Sequence, residues 1–119
     1  MSIMNIFALS LAEIVGDFGY KYFANSGGIK NFAIGTAGYV GVVYFLIRSL
    51  QGSQVLLVNA AWDGLSALLE TIAAFVFLGE RLYDPWKYFG ILLIVAGLFF
   101  LKLPLTNVNK FKFPKFFTI

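Results

Sequence analysis

The sequence contains no cysteine and no histidine. The first absence excludes a disulfide framework and any thiolate metal site. The second removes the commonest metal ligand and the commonest acid–base group near neutral pH. Proton chemistry therefore falls to carboxylates, tyrosines or lysines. Charge is also scarce. Asp, Glu, Lys and Arg make up 13% of the 119 residues, while 60% are hydrophobic. A soluble domain carries about 25% charged residues, so this chain cannot cover a water-facing bundle with polar surface. No Ser–His pair, metal-ligand cluster or phosphate-cradling glycine loop stands out, so an enzyme is not expected. No metal and no cofactor are implied.

What is present is apolar sequence in four runs. They span about residues 4–23, 31–50, 55–78 and 86–103. Each approaches the roughly 20 residues that cross a bilayer as a helix. Helices are expected because each span must satisfy its own backbone groups, and period-2 alternation is missing. The N-terminus lacks the basic start and small-residue cleavage site of a signal peptide. The first run is therefore expected to be a retained span.

Polar breaks separate the runs: residues 24–28, 51–54 and 79–85. Pro85 suits the first turn of a helix, and Pro104 is expected to stop the last one. Connections this short make neighbouring helices antiparallel. The expected fold is all-α: a four-transmembrane-helix bundle of up-down topology over residues 1–103, with a basic, aromatic tail at 104–119. Arg48, Lys102, Lys110, Lys112 and Lys115 then share one side, and Lys30, Arg81 and Lys87 the other. The positive-inside rule places both termini in the cytoplasm, mostly through the tail. Without the tail the two sides nearly balance, which is compatible with insertion both ways.

The acids define the chemistry. Four of the six, Glu13, Asp17, Asp63 and Glu70, lie inside apolar runs. Glu13, Asp17 and Lys21 follow i, i+4, i+8 spacing and share a helical face. Asn59, Asp63, Ser66 and Glu70 form a second stripe on the third span. Ionisable groups within a membrane are costly and mark ion or substrate paths by default. The plain alternative is internal pairing, Asp17 with Lys21 above all. Tyr39, Tyr44 and Trp62 offer π-faces to an organic cation.

Small residues mark packing faces. Gly35, Gly38 and Gly41 recur every three residues in the second span, and Gly90 and Gly97 lie two turns apart in the fourth. Such faces let membrane helices approach closely, either within one bundle or between copies. In the tail, KFKFPKFF interleaves Lys with Phe. That composition suits an anionic membrane surface or an uninformative terminus; nucleic-acid binding is not expected from so short a run.

The order of these features resembles the small multidrug resistance transporters of the drug/metabolite transporter superfamily. The residues that carry the likeness are LAEIVGDFGYKYF in the first span, Tyr39 in the second, Ala61-Trp62-Asp63-Gly64 and Phe77-Leu78-Gly79-Glu80-Arg81-Leu82 around the third, and Gly90 to Gly97 in the fourth. The resemblance implies a dimer of four-helix subunits, possible in antiparallel, dual-topology form. It implies that Glu13 binds a proton and a cationic substrate in turn. It places Tyr39 and Trp62 in the pocket, a bend in the third helix at Gly64, and the dimer contact at Gly90 and Gly97. Quaternary ammonium, guanidinium and polyamine cations are the implied substrate classes.

Departures from that pattern are Asp17, Asp63 and Glu70, where the family has small or apolar residues, Asn59 in place of a Tyr, and the tail. The extra acids suit a more highly charged cation or contacts with other chains. Asp17, Asn59, Asp63 and Glu70 are therefore counted with the pocket. The leading expectation is a proton-coupled antiporter that exports small organic cations across a cell membrane, with lipids, protons and substrate as partners and a homodimer as its assembly. The alternatives are a non-transporting structural component of a larger viral or organellar membrane assembly, and a subunit active only with a heteromeric partner.

Overall fold

The computed structural model describes residues 2–101, 103 and 112–117. Four helices follow in order: α1 (Ile3–Ser26), α2 (Ile29–Leu50), α3 (Val55–Phe77) and α4 (Pro85–Leu101). There is no strand among the described residues. The first three are long and apolar enough to cross a membrane, and α4 is a shorter apolar helix of 17 residues. At about 1.5 Å per residue it reaches only the lower limit of a span. Lys102 and Pro104, where the stop was expected, lie outside the described residues.

Local chemistry sets the helix ends. The Ser2 hydroxyl caps α1 by accepting from the Asn5 N–H at 3.2 Å. Gly27 and Gly28 both take positive φ, 72° and 97°, which only glycine adopts freely. They stop α1 three residues later than its apolar pattern does, because Ala24, Asn25 and Ser26 are all compatible with a helical turn. The Gly27 N–H closes the end on the Phe23 carbonyl at 2.8 Å. At the start of α4 the Asp84 carboxylate accepts from the Trp86 N–H at 3.0 Å, and Pro85 fills the first helical position, where its missing N–H costs nothing.

The first helix is the hub. It packs along α2 and against α3, whereas α4 rests on α3 alone and has no buried residue. A small core of Ile6, Leu9, Val42, Val58 and Ala61 closes the end that carries the N-terminus and the α2–α3 turn. The α1–α2 seam is built from glycine. A Cβ placed on Gly19 would lie 2.5 Å from the Gly35 nitrogen, and one on Gly38 would collide with the backbone of Gly16. Gly41 also faces α1, at Ala12. The spacing of Gly35, Gly38 and Gly41 is therefore used inside the bundle. Their partners, Gly16 and Gly19, have no counterpart in the sequence reading.

Candidate functional site

The tight seam brings polar side chains of three helices together. Tyr20 of α1 stacks on Tyr39 of α2, with centroids 5.6 Å apart and planes 17° from parallel. The Tyr20 hydroxyl meets Thr36 Oγ1 at 2.9 Å. Held in this way, Tyr39 donates its hydroxyl proton to Asp17 Oδ1. From α3, Ser66, almost fully buried, donates to Glu13 Oε1 at 2.8 Å.

Glu70, one turn beyond Ser66, completes the arrangement. One carboxylate oxygen from each of Glu13, Asp17 and Glu70 lies within 4.8 Å of the others, and all three residues are half-buried. Among the described residues no basic side chain pairs with any of them. Three like charges at this spacing repel by roughly 3 kcal/mol per pair at an effective dielectric constant of 20. A cation held among the three oxygens would relieve this repulsion. The oxygen set suits a hard or organic cation, and no soft ligand accompanies it.

The alternative of an internal Asp17–Lys21 pair is not what forms among the described residues. Lys21 Nζ reaches Glu80 Oε2 in the α3–α4 connection at 2.6 Å. Asp17 points toward Tyr39, while the longer Lys21 extends to the half-exposed α3–α4 connection. Tyr44 is likewise not at the site. Five residues from Tyr39, it lies on another face of α2, beside Arg48 at 3.4 Å and opposite the tail.

The other candidates spread around the site. Trp62 packs partly buried against the core, and its indole N–H finds no acceptor among the described residues. Asn59 and Asp63 continue the polar stripe of α3 but are exposed on this single chain. Gly64 sits within an unbroken helix and faces α4, its added Cβ lying 3.1 Å from Leu98 Cδ2. Gly90 and Gly97 of α4 face open space. The stripe in the sequence already contained Ser66; what it could not reveal is that Ser66 would meet Glu13.

Comparison with known proteins agrees with this architecture. The family described as Small Multidrug Resistance protein matches residues 1–94. The quaternary ammonium compound-resistance protein QacF of Klebsiella aerogenes is 39% identical over 67 residues, covering 56% of this chain and 60% of that protein. QacE of Escherichia coli, also named a quaternary ammonium compound-resistance protein, is 35% identical over 71 residues, 60% of this chain and 64% of its own. The multidrug transporter PA4990 of Pseudomonas aeruginosa is 32% identical over 92 residues, 77% of this chain and 83% of its own. The chain thus spans less than two thirds of the first two relatives. No solved structure matches.

Proposed function

Because the chain belongs to the small multidrug resistance family, whose members are integral membrane proteins, we propose that it exports small organic cations in exchange for protons. The observation that carries this reading is the cluster of Glu13, Asp17 and Glu70, three carboxylates drawn together with no basic side chain paired to them among the described residues. Protons and a cationic substrate compete for the same oxygens. Entry of one releases the other, and this mutual exclusion is the coupling.

Glu13 is the centre of the exchange, held toward the cluster by Ser66. Asp17, oriented by Tyr39, and Glu70 raise the negative potential and favour cations with more than one positive centre, such as polyamines, alongside quaternary ammonium and guanidinium ions. Asn59 and Asp63 extend the polar path along α3. Trp62 and Tyr39 supply aromatic surface. Gly64 is the place where α3 bends as access alternates between the two sides.

The working unit in this proposal is a dimer. The exposed stripe of Asn59 and Asp63 is expensive against lipid, and a second copy covers it. Gly90 and Gly97 present the close-packing surface for that copy on α4.

The test is proton-driven uptake of a quaternary ammonium cation into proteoliposomes. The Glu13→Gln variant should lose coupled uptake by at least about tenfold while inserting normally, in line with the removal of more than about 1.4 kcal/mol of site interaction. Unchanged coupled uptake by that variant would overturn the proposal.

A further inference from the structure

The tail lies outside the region that matches the family, and its described part is seated on the bundle. The carboxamide of Gln51, in the α2–α3 turn, holds both backbone groups of Lys112. Its Oε1 accepts from the Lys112 N–H at 3.2 Å, and its Nε2 donates to the Lys112 carbonyl. From this clamp, residues 113–116 run beside the outer face of α2. Between the two lies an open cavity of about 360 Å³, bordered on α2 by Val40, Val43, Tyr44 and Ile47.

Charge at this end has one sign. Among the described residues Arg48, Lys112 and Lys115 belong to it, and no Asp or Glu occurs in residues 2–12, 48–57 or 112–117. The opposite end carries Glu80 and Asp84 beside its bases. Lys112 and Lys115 are exposed next to the groove, as are Phe116 and Phe117. An apolar slot beside a span, with cations at its mouth and no competing acid, has the chemistry of a phospholipid site. The slot takes an acyl chain, and the lysines take the phosphate.

We propose that the groove between α2 and the tail binds an anionic phospholipid, with Lys112 and Lys115 on its headgroup. The Gln51 clamp keeps the lysines at the slot. A lysine near a membrane surface contributes about fivefold in affinity for anionic lipid, so the pair sets a preference of about twenty-five-fold over a zwitterionic lipid. The site ties the basic end of the bundle to the leaflet richer in anionic lipid, and it is separate from the carboxylate cluster.

Native mass spectrometry of the full-length protein, titrated in detergent with phosphatidylglycerol or phosphatidylcholine, tests the proposal. The wild type should retain phosphatidylglycerol about twenty-five-fold more tightly. K112Q/K115Q should bind both lipids alike. Val43→Trp, which fills the slot without touching charge, should weaken both lipids. Because the chain lacks cysteine, a spin label at Phe117→Cys reports the tail alone; it should be immobilised, and Gln51→Ala should release it. Equal retention of the two lipids by the wild type overturns the proposal. So does a preference that survives K112Q/K115Q, or a label as mobile in the wild type as with Gln51→Ala. Loss of transport through Glu13→Gln leaves these readings unchanged, so the two proposals fail separately.

Discussion

At the level of single residues, placement of a donor decides what each carboxylate can do. Glu13 and Asp17 lie one turn apart on the same helix, yet each has its own partner from a different helix: Ser66 for the first, Tyr39 for the second. A hydrogen bond to a charged group is worth about 1.5–3 kcal/mol. Ser66→Ala should therefore weaken cation binding by roughly tenfold without loss of expression, measured by isothermal titration in detergent. Under the proposed exchange of protons and cation on the same oxygens, cation affinity should also fall as the pH is lowered. A cation affinity independent of pH between acid and neutral conditions would contradict exchange at this cluster. The presence of the acids was legible in the sequence, since charges within apolar runs are conspicuous. Their convergence was legible only in part: periodicity aligns residues along one helix but says nothing of which helix faces them. For that reason Lys21 looked like a partner for Asp17 and instead joins Glu80.

The helices make a second set of demands. The α1–α2 seam tolerates no side chain at its glycines, so stability there depends on the absence of atoms. Gly38→Ala would place a methyl into the Gly16 backbone. Overpacking of this kind costs about 1–3 kcal/mol and would also pull Tyr39 away from Asp17. The expected outcome is a lower denaturation midpoint in mixed detergent together with weakened cation binding, whereas the same change at Gly90, which meets nothing among the described residues, should leave the monomer's stability unaltered. The glycine period in α2 was visible in the sequence. Whether it served the bundle or a second copy was not, because both uses require the same small residues. The helix ends show a similar division: the glycine pair after α1 was evident, but the helix runs to Ser26 because nothing in Ala24, Asn25 or Ser26 forbids it.

Across the whole molecule the packing is uneven. One end has a core and the basic tail, the α1–α2 seam is tight, and α4 leans on α3 with its glycine face open. The unburied α4 and the exposed Asp63 are surfaces that the proposed dimer would cover. Replacing Gly90 and Gly97 together with Leu should abolish the proposed dimer, measured by cross-linking through a single introduced cysteine, and with it the proposed transport, while leaving the helices intact. By itself the sequence determined the class of molecule. Sixty per cent apolar residues in four runs can satisfy their backbone only as helices, and acids within those runs must find protons, cations or partners. Tertiary structure alone decided which acids meet, since that depends on how closely α1 approaches its neighbours. Glycines 16, 19, 35 and 38 remove the side chains that would hold α1 and α2 apart. That close approach brings Tyr39 to Asp17, and the packing of α1 on α3 sets Ser66 and Glu70 beside Glu13 and Asp17.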